Sequence, residues 1–162
     1  MRFPLEIFTA MREVWPAELP MSVRLSCTDW AAGGTTADDA VIMGRLFHAA
    51  GADMIDCSTG EVTPAQKPVY GRMYQTPLAD RIRNEAGVPT IAVGSISEAD
   101  QMNGIIASGR ADLCAIGRPA LADASWLLRE MARLGRDLVE WPAPYRWGQR
   151  VLERSFALEP RT

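Results

Sequence analysis

One stretch of the sequence, GVPTIAVGSIS at positions 87–97, contains the pattern that decides the fold. A glycine leads into a short run of apolar residues, and a glycine followed by a serine ends the run. The stretch GRADLCAIGRP at positions 109–119 has a similar order of residue types. A glycine that ends a helix and leads directly into an apolar strand is typical of a repeated unit in a parallel α/β sheet.

The same unit is found twice more towards the N-terminus, so four strands alternate with helices. The apolar runs predict strands at 21–27, 52–57, 88–94 and 111–117. Apolar residues at three- and four-residue spacing predict helices that begin near positions 5, 36, 78, 97 and 126. In the second helix we expect an N-cap at Thr36 and a buried face of Val41, Ile42, Leu46 and Ala49. This alternation predicts the α/β class.

Two architectures are built from parallel βα units, the doubly wound sheet and the (β/α)₈ barrel. A doubly wound nucleotide fold usually has a glycine-rich turn after its first strand, whereas Thr28-Asp29-Trp30 stands there in this chain. Glycines instead end the last two strands, as in barrels with a phosphate site after strands 7 and 8. The sequence therefore predicts the C-terminal half of a (β/α)₈ TIM barrel, strands 5–8. Because four strands do not close a barrel, we expect another segment to cover two sheet edges.

Composition excludes several classes of protein. The 162 residues suffice for one domain, and 48% hydrophobic against 23% charged residues indicates a folded core. A net charge of −3 argues against a nucleic-acid-binding surface. Three cysteines without a C-x-x-C pair, and a single histidine, indicate reduced thiols and no metal site. We expect a cytoplasmic protein with no signal peptide, no membrane span and no nucleic-acid partner.

Two glycine turns at strand ends are candidates for phosphate binding. Gly94 lets the backbone approach a ligand, and the amides around Ser95 open a helix. Gly117 permits the same approach, and Arg118 offers a planar guanidinium to a phosphate. Two alternatives stay open, a plain βα turn at Gly94 and a pairing of Arg118 with a nearby acid such as Asp123.

A charged residue in the middle of the first strand requires an explanation. Arg24 lies between Val23 and Leu25, where a charge is costly unless it is paired. Either it points to the barrel axis, beside polar atoms of a cofactor, or it forms a buried ion pair, for instance with Asp56. Cys57 follows Asp56, and we expect it to be a buried structural thiol instead of a nucleophile.

The longest predicted loop runs from position 58 to about 75, after the second strand. It contains Tyr70, Arg72 and Tyr74, together with Gln75. Long loops on the active face of a barrel often contact substrate. We therefore take Tyr70, Arg72 and Tyr74 as candidate substrate-binding residues, with a packed surface loop as the alternative.

These motifs together resemble a known family. The stretches VRLS at 23–26, DCSTG at 56–60, VGSI at 93–96 and GRP at 117–119 are similar to the C-terminal half of the old yellow enzyme family. Its members are FMN-dependent barrels of the NADH:flavin oxidoreductase and NADPH dehydrogenase type. The stretch PVYGRMYQTP at 68–77 is more similar still to the reductase-like C-terminal domain of salicylyl-CoA 5-hydroxylase and anthraniloyl-CoA monooxygenase.

The resemblance implies a cofactor and a role for five residues. FMN would take hydride from NADPH or NADH and pass it to an activated alkene or to an aromatic or dienoyl acceptor. Arg24 matches the arginine at the N1/O2 edge of the flavin ring. The positions that match the family's phosphate contacts are Gly94, Ser95, Gly117 and Arg118. The family's catalytic residues lie in the first half of the barrel, which this sequence does not contain.

The resemblance also implies an organisation and a partner. Residues 1–140 would form an FMN-binding half-barrel, and residues 141–162 a helical C-terminal extension. The chain would be a fragment whose partner is an N-terminal half-barrel or another subunit, including a second copy. The alternatives are the C-terminal part of a bifunctional flavin-dependent aromatic acyl-CoA hydroxylase, a flavin-free phosphate-binding half-barrel, and an inactive half-barrel.

Overall fold

The computed structural model describes residues 1–135 and 140–158. Four strands are β1 (Ser22–Ser26), β2 (Met54–Ser58), β3 (Thr90–Ala92) and β4 (Leu113–Cys114). Seven α-helices are α1 (Arg2–Val14), α2 (Ala37–Ala49), α3 (Thr76–Arg81), α4 (Ala99–Ala107), α5 (Arg118–Ala122), α6 (Trp126–Arg133) and α7 (Arg146–Leu158). A π-helical turn (Ile82–Ala86) extends α3, and a 3₁₀ turn (Ala143–Tyr145) precedes α7.

The four strands form one parallel sheet in the order β1-β2-β3-β4. Each strand is therefore adjacent to the next strand along the chain, as expected for consecutive βα units. The pairing aligns Arg24 with Asp56, Asp56 with Ile91, and Ile91 with Leu113. The prediction of a parallel α/β protein is confirmed. The assignment of these strands to the second half of a barrel stays a prediction.

The two faces of the sheet differ in burial. Side chains alternate between faces along a strand, and one face carries Leu25, Ile55, Cys57 and Ala92, all buried. Helix α2 contacts β1, and α3 contacts β2 and β3. The other face carries Arg24 and Leu113, which is 51% exposed. Alternate strand positions on this second face therefore point away from the core of the chain.

Helix α2 begins with a complete capping box. Thr36 Oγ1 accepts from the Asp39 amide at 3.2 Å, and Asp39 Oδ2 accepts from the Thr36 amide at 2.9 Å. The N-cap prediction is confirmed, and the predicted buried face is right for Val41 and wrong for Ile42, Leu46 and Ala49. The exposed fractions of Ile42 and Leu46 are 54% and 39%. The buried residues of the helix are Ala40, Val41, Gly44 and Phe47.

Gly44 explains why the buried stripe of α2 differs from the predicted one. A Cβ at this position would lie 3.0 Å from Ile82 Cγ2 and 3.9 Å from Ile55 Cγ1. The helix therefore approaches the sheet through small residues, and its larger aliphatic side chains point away. A search for large apolar residues at helical spacing misses such a stripe.

The described residues fall into two compact units. The first comprises Met1–Ile96 and Asp100–Ala115 and contains the whole sheet. The second comprises Ser97–Ala99 and the described residues from Ile116 onwards. Its helices α6 and α7 are in contact, and the buried Trp126 donates from its indole nitrogen to the Ser97 carbonyl at 3.1 Å.

The C-terminal region contains one helix that the sequence patterns did not predict. Helix α5 follows Gly117 directly, where we expected only a turn. The division between residues 1–140 and 141–162 stays a prediction, and α7 occupies part of the second segment. Residues 136–139 and 159–162 of these predicted segments lie outside the described residues.

Replacing Thr36 by alanine tests the capping box. We expect Thr36→Ala to lower the free energy of unfolding by about 1 kcal/mol, because the Asp39 amide loses its acceptor. The neighbouring Thr35→Ala is the matched control and should change stability by less than about 0.5 kcal/mol. Urea unfolding followed by circular dichroism measures both. Equal losses in the two variants would contradict the assignment.

Candidate functional site

Arg24 lies on the sheet face opposite to the buried one. Its Nη2 donates to Ser58 Oγ at 3.0 Å, and its Nε lies 3.9 Å from Asp56 Oδ2. The guanidinium side chain is 66% exposed. The predicted ion pair with Asp56 is therefore present, but the expectation that it is buried is wrong, because this face of the sheet is open. The arginine is held on one side by Ser58 and Asp56, and the rest of its side chain is exposed.

Asp56 is the less exposed partner in this ion pair, with a half-buried side chain. Burial raises the pKa of its carboxyl above the ordinary value, and the positive charge of Arg24 partly opposes that shift. Its Oδ1 is buried without a hydrogen-bond partner among the described residues. A carboxylate oxygen of this kind is unusual in a folded protein and marks the group as a site for a polar ligand or water.

Ser58 is a site residue that the sequence patterns did not single out. It follows Asp56 by two positions in β2 and therefore shares its sheet face. That period of two was available in the sequence and could have identified it. Near it, Ser26 Oγ donates to the Gly60 carbonyl at 3.1 Å. A cavity of about 210 Å³ is lined by Arg24, Leu25, Ser26, Ser58, Thr59, Gly60 and Glu61.

The turn at Gly94 and Ser95, which follows β3, requires a glycine. The φ angle of Gly94 is +103°, and a Cβ there would lie 2.8 Å from Gln75 Cδ. Ser95 also has a positive φ, +52°, which is uncommon for a residue with a side chain. Two successive left-handed residues turn the chain sharply, and the exposed Ser95 stands at the outer side of the turn. Backbone strain of this kind is often found at ligand sites.

Gln75 holds this turn in place through hydrogen bonds of its side chain. It is 3% exposed, its Oε1 accepts from Thr59 Oγ1 at 2.6 Å, and its Nε2 donates to the Val93 carbonyl at 2.9 Å. The Met73 amide also donates to the Ser95 carbonyl at 3.1 Å. Gln75 thus joins the segment after β2 to the end of β3. Its side chain is buried and both of its polar atoms are bonded, so its role is to hold the turn in place.

Gly117 and Arg118 belong to the second unit and lie at the start of α5. No atom of the described residues comes within 4 Å of a Cβ built on Gly117. The protein itself therefore does not require a glycine here, whereas a ligand in that space would. Arg118 is exposed, and Asp123 forms its ion pair with Arg129. The alternative pairing of Arg118 with Asp123 is not found.

The loop residues predicted to contact substrate are partly clustered. Tyr70 and Tyr74 pack edge to face, with their ring centroids 5.3 Å apart. Tyr70 is 67% exposed, and Arg72 is exposed between the two tyrosines in the chain. The two rings form an aromatic pair in this loop, and the contact of Tyr70, Arg72 and Tyr74 with a substrate stays a prediction.

The described cysteines have no catalytic features. Cys27 and Cys57 are fully buried on neighbouring strands. A hydrogen bond with Cys27, together with burial, raises the pKa of the Cys57 thiol far above its ordinary value. The thiol is therefore protonated and inert, as expected from the sequence. Within residues 1–135 and 140–158, no group of three or more histidine, cysteine or acidic side chains could hold a metal ion.

Comparison with known proteins gives the family. Residues 1–136 match the model of the NADH:flavin oxidoreductase / NADH oxidase family. The chain belongs to this family. The resemblance to flavin oxidoreductases of the old yellow enzyme type is therefore confirmed.

Curated relatives of the family match along most of the chain. The NADPH dehydrogenases of Geobacillus thermodenitrificans and Clostridium acetobutylicum are each 39% identical over 145 residues, which is 90% and 89% of this chain and 42% of each relative. The NADPH dehydrogenase of Halalkalibacterium halodurans is 37% identical over 140 residues, 86% of this chain and 40% of the relative. The chain thus spans about two fifths of the length of these relatives. None of the described helices is long and apolar enough to span a membrane.

Replacing Gly94 tests the strained turn. We expect Gly94→Ala to lower the free energy of unfolding by about 2 kcal/mol, because a Cβ meets Gln75 and the positive φ disfavours alanine. In Gly104→Ala, within α4, a Cβ meets no atom within 4 Å, so this control should gain about 0.5–1 kcal/mol. Thermal and urea unfolding measure both changes. A neutral Gly94→Ala would contradict the geometry of the turn.

The pH dependence of stability tests the state of Asp56. Because its pKa is raised in the folded protein, the folded state binds more protons, and stability falls as pH rises from about 4 through the native pKa. Asp56→Asn removes this contribution. The stability of the native sequence relative to Asp56→Asn should therefore decline over this range. A stability of the native sequence relative to Asp56→Asn that rises with pH over this range would contradict the assignment.

Proposed function

We propose that this chain forms part of an FMN-dependent oxidoreductase that uses NADPH. The observation that carries the proposal is the arginine on the open face of the sheet. Arg24 is fixed by Ser58 and Asp56 beside a cavity, yet two thirds of its side chain is free for a ligand. An exposed cation that is held in place on this face is suited to an electron-rich ring edge.

The strand-end glycines fit the phosphate of the cofactor. Gly117 leaves open space that a side chain would fill, and Arg118 is exposed beside it. Arginine is suited to this role because its planar guanidinium makes paired hydrogen bonds to phosphate oxygens. Gly94 and Ser95 form a turn with two positive φ angles, and α4 begins only at Ala99, so the phosphate contact proposed here is with the turn and not with a helix N-terminus. We propose that the turn at Gly94 and Ser95, in the first unit, and the start of α5 at Gly117 and Arg118, in the second, are each a phosphate-binding element.

The chemistry of the reaction would be divided between cofactor and protein. FMN, when bound, accepts hydride from a nicotinamide and passes it to an acceptor. Arg24 favours negative charge at the ring edge that it contacts, and Asp56 and Ser58 keep the guanidinium in place. The relatives named NADPH dehydrogenase favour NADPH as the reductant. We propose an activated alkene, or an aromatic or dienoyl compound, as the acceptor, with Tyr70, Arg72 and Tyr74 contacting it.

The architecture belongs to the same proposal. We propose that β1–β4 are strands 5–8 of a (β/α)₈ barrel. The chain buries only one face of its sheet, which supports this assignment. The other face, with Arg24 and Asp56, would then line the interior of the barrel. The carboxyl ends of the strands, where Ser58 and Gly94 lie, would form the active face.

Comparison of FMN with riboflavin tests the cofactor assignment, since the two differ in the phosphate alone. The purified full chain is titrated with each flavin, and binding is followed by flavin fluorescence. We expect Arg118→Ala to weaken FMN binding by about 10- to 100-fold, the effect of losing a charged hydrogen bond, and to leave riboflavin binding unchanged. Arg24→Ala should weaken the binding of both flavins by the same factor.

Arg154→Ala is the matched control for this titration. Arg154 is an exposed arginine of α7, in the same unit as Arg118, and its replacement should change neither affinity. If the native sequence binds FMN no more tightly than it binds riboflavin, the assignment of the phosphate site is contradicted. Equal affinity of Arg24→Ala and the native sequence for riboflavin would contradict the role of Arg24.

A further inference from the structure

Two strands of the sheet are followed by the same kind of turn. Gly60 and Glu61 follow β2 with φ angles of +73° and +61°, and Gly94 and Ser95 follow β3 with φ angles of +103° and +52°. In both turns the second residue carries a side chain, although the left-handed region is unfavourable for such residues. A conformation of this kind persists only where the surrounding structure imposes it. Each turn must therefore be held by other residues of the chain.

A glutamine lies against the glycine of each turn. A Cβ at Gly60 would lie 2.5 Å from Gln66 Oε1, and a Cβ at Gly94 would lie 2.8 Å from Gln75 Cδ. Both glutamines belong to the segment between β2 and α3. In each pair the glutamine approaches the backbone closely because the glycine has no side chain. The two turns thus share their backbone conformation and the type of residue that supports them.

The turn after β2 uses its amides within the protein. The Gly60 amide donates to the Thr28 carbonyl at 2.9 Å, and the Glu61 amide donates to Gln66 Oε1 at 2.8 Å. Ser26 Oγ also donates to the Gly60 carbonyl at 3.1 Å. This turn is therefore closed by its own hydrogen bonds, and neither of its amides is available to a ligand.

The turn after β3 differs in this respect. Gln75 bonds to the Val93 carbonyl and not to an amide of the turn. Among residues 1–135 and 140–158, the amides of Gly94 and Ser95 have no acceptor. Backbone amides are obligatory donors, and an anion is a suitable acceptor for two successive ones. The two turns therefore have the same support, but only the turn after β3 keeps its donors for a ligand.

Gln75 also connects this turn to the arginine of the site. Thr59 Oγ1 donates to Gln75 Oε1 at 2.6 Å, and Gln75 Nε2 donates to the Val93 carbonyl at 2.9 Å. Thr59 follows Ser58, whose Oγ accepts from Arg24 Nη2 at 3.0 Å. A continuous path of hydrogen bonds, joined by the peptide bond between Ser58 and Thr59, therefore leads from Arg24 on β1 to the turn after β3.

We propose that Gln75 is a positioning residue that fixes the turn at Gly94 and Ser95 relative to Arg24, and that the preference for a flavin with a phosphate depends on it. The inference rests on the proposed function, in which Arg24 contacts the ring edge and the turn contacts the phosphate. Both polar atoms of Gln75 are bonded within the protein, so it acts on the ligand through the turn. Its side chain is 3% exposed, and hydrogen bonds away from water hold their geometry well.

Titration of the full chain with FMN and with riboflavin tests this role. Gln75→Met keeps an unbranched side chain of similar size in the buried position and removes both hydrogen bonds. We expect it to weaken FMN binding about tenfold, the effect of losing one hydrogen bond to an anion, and to change riboflavin binding by less than about twofold. Riboflavin is insensitive because it has no phosphate for the turn to bind.

Gln66→Met is the matched control. Gln66 lies in the same loop and against the same kind of left-handed glycine, but the amides of the turn that it supports are already bonded. The variant should keep the native ratio of the FMN and riboflavin affinities. Thr59→Val is a second, milder test variant, because it removes one hydrogen bond of Gln75 and keeps the other. It should lower the ratio in the same direction as Gln75→Met.

Stability measures the contact between Gln75 and the turn without any flavin. The side chain of Gln75 occupies the space that a Cβ on Gly94 would need. In a Gln75→Ala background, Gly94→Ala should therefore lower the urea midpoint less than it does in the native sequence. Equal shifts of the midpoint in the two backgrounds would overturn the inference, since the turn would then not depend on Gln75.

The flavin titration separates two kinds of failure. The inference is overturned if Gln75→Met keeps the native preference for FMN. It is also overturned if this variant weakens FMN and riboflavin by the same factor, because Gln75 would then only stabilise the fold. A native sequence without any preference for FMN overturns the proposed phosphate site, and the inference with it.

Discussion

The guanidinium of Arg24, in the middle of β1, determines which face of the sheet stays open and which face forms the core. Arg24 cannot be packed into an apolar core without a large loss of stability, so the face that carries it must stay polar or open. Asp56 and Ser58, at register positions on the same face, fix the arginine and leave most of it exposed. The buried face then has to provide the core alone, which it does with Leu25, Ile55 and small residues of α2. Core and site are thus separated by the alternation of side chains along β1 and β2.

The second constraint is the connection between the loop after β2 and the end of β3. Gln75 bonds to both Thr59 and Val93, and it occupies the space that a side chain at Gly94 would need. The strained conformation of Ser95 therefore depends on the buried side-chain amide of Gln75, twenty residues earlier in the chain. A ligand that binds at this turn meets a backbone that is already in place, which lowers the entropic cost of binding.

Much of this arrangement could be predicted from the sequence, for reasons that are local. Strand β3 and the turn at Gly94 follow from an apolar run between two glycines, and the cap at Thr36 follows from its spacing to Asp39. The buried face of α2 could not be predicted from the size of its side chains. Gly44 packs closely against Ile82, whereas the larger Ile42 is exposed. The structural role of Gln75 was missed for a related reason, since a polar residue in a loop gives no local sign of burial. Long-range hydrogen bonds of this type are visible only in the fold.

The central claim is that the chain contributes an arginine and a phosphate site to an FMN-dependent reductase. It is tested most directly by adding NADPH, without oxygen, to the full chain loaded with FMN. The account predicts stoichiometric loss of the visible absorbance of the oxidised flavin, and a slower loss in Arg24→Ala. Retention of FMN with an absorbance that NADPH does not change would contradict the account, as would a chain that holds no FMN.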